Sequence, residues 1–560
     1  MKKLSFKIPL PKLSKTERGE KAEVKPKEIT TRGITALEES VQVLQRDPSW
    51  RILDSYYIYK PFVKVTIAET PKGPTYFVEE MGLDAEDKIV LEKLYEILMD
   101  EMKPPQSKED FADLRGYVFR EVNRISEKYR EKLGLAGTRR LKLMYYIERN
   151  LLGYGIIDPL MRDPEIEDIS CDGVGVQVFV WHHRYESIPT NIVFIDEEAL
   201  NELIMKMAHM AGKHISVAYP VLDAMLPEKH RVAATYGREV STKGPTFTIR
   251  KFREKPFSII ELVEGGNIDT LTASYLWVLL EHGKTFMVAG GTGTGKTTML
   301  NALSMFIKPG MKIVTIEDTP ELNLPHVNWV QLTSRETYTV GAQSLGTSVK
   351  LFDLVKLSLR YRPDYIIVGE VRGEEAFVLF QAMATGHSGA STIHAETLDY
   401  AVKRLTSPPM NIPPAYMGLM NVFMHIQRVI TRVEKGVVKV RRRITVVQEV
   451  EGYEKYRVIT KWDPASDTHE VHLENSIHLA DVAAKRGLDL EDVIEEVKRR
   501  AVVLEWMKEE GIRDAWDVSR IIFDYYYTPS EVYEHAVKRL SEIKSTSAGK
   551  AAFETSSRVE

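Results

Sequence analysis

The chain has 560 residues, 43% of them hydrophobic and 28% charged, enough to bury large cores over about three or four domains and too mixed for a disordered chain. A formal net charge of -4 makes no general demand for a nucleic-acid partner, and none is expected. One cysteine, Cys171, excludes an internal disulfide and a multi-cysteine zinc site, as expected for a protein of a reducing compartment.

Residues 1–60 are expected to form a basic, flexible N-terminal extension. Its first fifteen residues hold five lysines (Lys2, Lys3, Lys7, Lys12, Lys15) and no acid. Pro9 and Pro11 forbid a regular helix there. The composition suits a solvated leader or an arm on an anionic membrane, where each lysine contributes about 1 kcal/mol. No apolar h-region or cleavage site marks a secretory signal.

Residues 61–150 are expected to be a helical N-terminal region. In EDKIVLEKLYEILMDEM, the residues Ile89, Val90, Leu94, Ile97 and Leu98 recur at three- and four-residue spacing, the mark of one buried face. An α/β region is expected over 151–255, with VQVFVWHH and TFTIRKF as strands around a helical ALNELIMKMAHMAGKH. SIIELVEGGNI supplies a linker, 256–264, into a second α/β domain with C-terminal helices, 265–545. The tail, 546–560, is expected to be disordered. No apolar run approaches the roughly 18 residues of a spanning helix; LTASYLWVLL (271–280) has the length of a buried one.

The second α/β domain carries the chemistry. Gly290, Gly291, Thr292, Gly293, Thr294, Gly295, Lys296, Thr297 and Thr298 contain a full G-x-x-x-x-G-K-[ST] phosphate loop between a buried strand, TFMVAG, and a helix. The glycines let backbone N–H groups cradle phosphates, Lys296 reaches the β- and γ-phosphates of ATP, and Thr297 is placed to bind Mg²⁺. The helix presents its positive end to the anion.

Three further apolar runs end in polar residues. KIVTI leads into Glu317, Asp318 and Glu321; YIIV into Gly369, Glu370 and Arg372; GAST into His394. In an open α/β sheet the carboxyl ends of the strands form the binding edge, so four strands deliver Lys, Glu-Asp, Glu and His to one site. Phosphoryl transfer needs a metal, a group that orients water and cations for the transition state. Glu370 ends a Walker-B-like strand and is assigned to the Mg²⁺ shell, with Thr297. A glycine precedes it where an Asp-Glu pair is common. Glu317 is the first candidate to orient water, with Asp318 and Glu321 as alternates; the roles of Glu317 and Glu370 are interchangeable at this level. His394 is the candidate γ-phosphate sensor, while His387 is divided evenly between that role and loop structure.

GGTGTGKTTMLNAL, IVTIEDTPELNLPH, LSLRYRPDYIIVGEVRGEEA and TGHSGASTIHAE resemble the Walker A, Asp, Walker B and His boxes of the type II/IV secretion ATPases, in the family's order. LLGYGIIDPLMRDPEIEDISCDG, YPVLDAMLPEKHRVAAT and GPTFTIRKF resemble the family's N-terminal domain, so the resemblance covers about 145–445. The wording is most similar to the archaeal branch, the archaellum and archaeal type IV pilus motors. The resemblance implies an α/β fold: a RecA-like P-loop motor domain preceded by a smaller PAS-like α/β domain and a helical N-terminal region.

It also implies a cytoplasmic homo-hexamer, peripheral at the inner face of the membrane. Such a motor uses ATP and Mg²⁺ to drive assembly or secretion of pilin-like or archaellin-like subunits through a polytopic platform protein. In the family, arginines of the N-terminal domain complete the nucleotide site; Arg231 and Arg250 stand at the matching positions, with Arg238 and Arg253 as lesser candidates. The alternative is a hexameric RecA-like nucleic-acid translocase, against which the acidic balance and the lack of a basic motor-domain loop count.

Overall fold

The computed structural model describes residues 40–107, 109–110, 113–253, 255–335, 348–432 and 438–556. The basic leader up to residue 39 lies outside them. The chain divides into two compact units, 40–224 with 232–250, and 225–231 with 251–556.

The first unit is built on one ten-stranded sheet. β1 (Val41–Val43), β2 (Arg51–Tyr59), β3 (Val63–Thr70) and β4 (Gly73–Glu80) precede the helices, so strands occupy 41–80 where a flexible extension and a helical region are expected. Val63 to Ala68 and Thr75 to Val78 are β-branched or aromatic-rich and largely buried, and the TPKG between them turns at Gly73, φ 104°.

Helices then follow as expected: α1 (Ala85–Glu101), α2 (Leu114–Lys128) and α3 (Gly137–Ile147). Asp84 and Asp87 form a capping box at the start of α1. Its buried stripe is Val90, Leu91, Leu94, Tyr95 and Leu98; Ile89, expected inside, is 52% exposed, one position off the 90-94-98 row.

β5 (Ile166–Cys171), β6 (Gln177–His182), β7 (Glu186–Phe194), α4 (Glu197–Met210), β8 (Val221–Met225), β9 (Arg231–Thr235) and β10 (Thr246–Arg250) complete this unit. The sheet order is β2-β3-β4-β7-β6-β5-β10-β9-β8, with β1 on β7. No boundary falls near 150. Asn191 on β7 donates to Val78 O (3.0 Å) and accepts from Val78 N (2.9 Å), stitching the first strands to the later ones across more than a hundred residues.

The second unit opens on α5 (Ile259–Glu264), in place of the expected linker. Ser258 and Glu261 form its capping box, and Ile259, Ile260 and Leu262 are buried. α6 (Thr270–Glu281), β11 (Phe286–Ala289), α7 (Lys296–Ser304), β12 (Ile313–Glu317), β13 (Trp329–Thr333), α8 (Leu351–Ser358), β14 (Tyr365–Val368), α9 (Glu375–Ala384), β15 (Ser388–Ile393), α10 (Leu398–Thr406) and β16 (Val422–Arg432) follow. These strands pair parallel in the order β13-β12-β14-β15-β11-β16. β17 (Val438–Gly452), β18 (Lys455–Asp463) and β19 (Thr468–Val471) continue the sheet antiparallel.

Helices cover both faces, and alternation along each strand feeds two cores. On β11, Phe286 and Val288 join one core, Met287 and Ala289 the other; β14 divides Tyr365 and Ile367 from Ile366 and Val368 in the same way. The fold is α/β with a RecA-like P-loop core, as the motifs imply.

The C-terminal helices α11 (Ile477–Arg486), α12 (Leu490–Glu510), α13 (Ala515–Tyr527) and α14 (Pro529–Ser556) belong to the first of these cores. Trp277 donates its Nε1–H to Tyr526 Oη at 2.9 Å, and that hydroxyl donates to Phe306 O just after α7. The tail expected to be disordered continues α14 as far as Ser556. Extending a packed helix adds a hydrogen bond per residue without a new nucleus, and AGKAAFE contains mostly good helix formers.

Candidate functional site

The phosphate loop runs from Gly290 to Gly295, between β11 and α7. Two glycines there are geometrically required. A Cβ at Gly290 would collide with Ile426 O and Thr294 Oγ1, and Gly295 caps α7 at φ 92°. Thr294 Oγ1 and Lys296 Nζ both donate to Gly291 O, at 2.9 and 2.8 Å, holding the loop closed on itself. Thr297 and Thr298 lie half-buried on the first turn of α7.

The parallel registers bring the other motifs to this edge. Ala289 pairs with Ile393, so His394 stands beside Gly290, and its Nε2 is 3.0 Å from Thr292 Oγ1. Ile316 pairs with Val368, which sets Glu317 against Gly369. Thr392 Oγ1 donates to Gly369 O at 2.8 Å and ties β15 to the loop of Glu370. Burial holds the His394 imidazole below its ordinary value; Lys296 acts in the same direction and Glu370 against it. At neutral pH the ring is neutral, with one nitrogen able to accept.

The two candidate carboxylates differ. Glu317 is 3% exposed; its Oε1 accepts from Glu321 N (2.8 Å) and Leu322 N (2.9 Å), and its Oε2 from Gln331 Nε2 (3.3 Å). Both its oxygens are committed to holding the EDTPE loop. Glu370 pairs Oε2 with Arg372, while its Oε1 is buried with no hydrogen-bond partner among the described residues. The glycine before Glu370 has a steric reason: a Cβ at 369 would lie 3.0 Å from Glu317 Cγ.

Desolvation pushes the Glu317 carboxyl up from 4.5 to about 7. Between these values the folded chain keeps a proton that the unfolded chain has lost. Stability therefore falls as pH rises from about 4.5 to about 7, by roughly 3 kcal/mol. Glu317→Gln is expected to remove that part of the pH dependence. Thermal unfolding of wild type and variant from pH 5 to 8 checks it; parallel curves would reject the assignment.

Around the EDTPE loop, exposed Asp318 accepts from Ser334 Oγ at 2.8 Å, and Arg231 donates to Thr319 Oγ1 at 3.1 Å. Glu321 presents its backbone N–H to Glu317, and its side chain is exposed. Arg231, among the residues grouped with the second unit, thus stands at the site loop. Arg250 and Arg238 belong to the first unit, ion-paired with Asp168 (3.6 Å) and Glu197 (2.7 Å). Arg253 stacks on the Phe257 ring at 3.5 Å and pairs with Glu261. His387 precedes β15 and lines a cleft with Arg362, Asp364 and Tyr365, at the opposite end of the strands from Gly290. The structure gives it the loop role.

Two residues were missed, and a third, Arg372, stood at its strand end without a role. Arg372 pairs with Glu370, Arg404 on α10 donates to His394 O, and Arg442 on β17 donates from Nε to Gly293 O at 3.1 Å. Arg372 was visible two positions after the motif acid; Arg442 was hidden in a run of three arginines. That run lies in the stretch of β16 and β17. From 428 to 443 there are seven basic residues (Arg428, Arg432, Lys435, Lys439, Arg441, Arg442, Arg443) and one acid, Glu434. Arg443, 1% exposed, and Arg441 both pair with Asp467.

The strand order, the loop and the acids at one edge define a P-loop nucleoside-triphosphatase. The family described as Type II/IV secretion system protein matches residues 155–452, and this chain belongs to that family of secretion ATPases. The uncharacterized protein MJ0900 of Methanocaldococcus jannaschii is 36% identical over 490 residues, 82% of this chain and 87% of its own length. The type IV secretion system protein PtlH of Bordetella pertussis is 34% identical over 244 residues, 39% of this chain and 70% of PtlH. The crystal structure of the VirB11 ATPase from the Brucella suis type IV secretion system aligns with TM-score 0.26 at 25% identity, over 55% of this chain and 93% of that one.

Proposed function

We propose that this protein is the ATP-hydrolysing motor of a type II secretion, type IV pilus or archaellum-like system. It acts as a homo-hexamer at the inner face of the cell membrane, moving pilin-like subunits through a polytopic platform protein. The observation that carries the hydrolytic reading is the buried, unpartnered Oε1 of Glu370, at the same sheet edge as the Lys296 loop. Membership of the secretion family and an archaeal relative matched over most of both chains support the machine. Among the described residues no helix is long and apolar enough to cross a membrane, which suits a motor that works through a membrane partner.

The residues fit a magnesium triphosphate. Among the described residues no group of three or more His, Cys, Asp or Glu could hold a metal ion by itself. Mg²⁺ ordinarily keeps several waters beside a few protein oxygens and substrate phosphates; the Thr297 hydroxyl would hold it directly, with Glu370 in its shell through water. When bound, the ion neutralises charge on the β- and γ-phosphates. Lys296 holds those phosphates, and the orphan oxygen of Glu370 accepts a hydrogen bond from the attacking water. Neutral His394 reads the γ-phosphate, Arg231 lends positive charge beside Thr319, and Glu317 keeps the loop in place.

The basic run at 428–443 favours the second reading, a nucleic-acid translocase. The pairing of Arg441 and Arg443 with Asp467 weakens it. The test is ATP hydrolysis by the full chain alone, with anionic phospholipid vesicles and with single-stranded DNA. We expect Mg²⁺-dependent turnover, raised by vesicles and indifferent to DNA. Stimulation by DNA alone would favour the translocase, and absence of turnover would overturn both.

A further inference from the structure

The phosphate-loop strand β11 has two flanks. On one, β15 and β14 carry His394 and Glu370, the groups assigned to hydrolysis. On the other, β16 and its hairpin partner β17 carry arginines. Arg442 lays its Cδ 3.5 Å from the place a Cβ on Gly295 would take and donates from Nε to Gly293 O at 3.1 Å. Its register partner across the hairpin is Arg428, whose side chain is exposed. Ile426, two residues along the same face, packs on Gly290 and Gly295, so this face is the one turned to the loop.

Like charges directly opposite on a ladder disfavour pairing. Two facing arginines at the mouth of an anion-binding loop concentrate positive charge where phosphates would enter. A guanidinium, with its planar fork of donors, suits phosphate oxygens. The γ-phosphate and its water belong on the Glu370 flank. The β16 flank therefore meets the part of the nucleotide common to ADP and ATP.

We propose that Arg442, assisted by Arg428, is a nucleotide-binding residue that grips the α- and β-phosphates from the β16 flank. The inference rests on the nucleotide site proposed above. It separates binding from turnover: these arginines set the affinity for ADP and ATP alike, and Glu370 sets the rate.

The experiment compares wild type, Arg442→Gln, Arg442→Lys and Arg428→Gln by ADP binding calorimetry, steady-state ATP hydrolysis and thermal unfolding. Arg442→Gln is expected to raise the Kd for ADP and the KM for ATP together, by about ten- to hundred-fold, with kcat within about threefold. Arg442→Lys should recover part of the affinity, and Arg428→Gln should cost about threefold. An Arg442→Gln protein that melts earlier but binds ADP as wild type does would make Arg442 a brace for the loop only, and would overturn the proposal. So would a fall in kcat with ADP affinity unchanged. If Arg442→Gln does not fold, Arg442→Lys and Arg428→Gln decide, and wild-type affinity in both overturns the proposal. A wild type that binds no nucleotide would instead defeat the function on which this rests.

Discussion

Replacing Glu370 by Gln is expected to lower ATP turnover by about 10²–10⁴-fold, with nucleotide affinity kept within about threefold. The substitution keeps the shape of the side chain and removes the charge and basicity of the oxygen that lies buried without a partner. A loss of that size is about 3–5 kcal/mol of transition-state stabilisation. It distinguishes the two acids of the site, because Glu317 has its oxygens occupied by Glu321 N, Leu322 N and Gln331. Glu317→Gln should therefore cost turnover less than Glu370→Gln does. Single-turnover hydrolysis beside equilibrium binding checks both. A Glu370→Gln enzyme within a few-fold of wild type, beside an inactive Glu317→Gln enzyme, would transfer the water-orienting role to Glu317.

Lys296→Ala should be the second severe loss, lowering kcat by roughly 10²–10³-fold and weakening ATP binding as well. Lys296 begins α7, and its ammonium donates to Gly291 O at 2.8 Å across the loop. That position, at the positive end of a helix, puts a full charge where the phosphates need it. Lys296→Arg should not restore the rate, since a planar fork replaces a compact ammonium. Both variants should melt near wild type, because Lys296 is half-buried at a helix end and takes no place in the cores. Hydrolysis rates together with calorimetric melting check this. Retained turnover in a folded Lys296→Ala protein would show that the loop does not hold the reacting phosphates.

The site was legible where chemistry demands particular residues in a short span. GGTGTGKTT, the acids after KIVTI and YIIV, and the histidine after GAST each sit at a strand end, and the registers Ala289 with Ile393 and Ile316 with Val368 bring them together. What was misread was local in form but long-range in cause. VKVTIA and TYFVE are strand-like by residue type, yet they lie ahead of three helices, and their place in the sheet depends on Asn191, more than a hundred residues away. SIIELVE, expected as a linker, carries its own capping box and forms α5.

The amino-acid order alone determined the family, the phosphate-loop motif and the candidate acids at the strand ends, because backbone freedom, charge and hydroxyl placement are properties of neighbouring residues. Tertiary structure alone decided which acid has an oxygen to offer, which histidine stands at the loop, and that Arg442 reaches Gly293. Those answers depend on strand order and register, which are set by burial summed over two cores and leave no mark within any one segment.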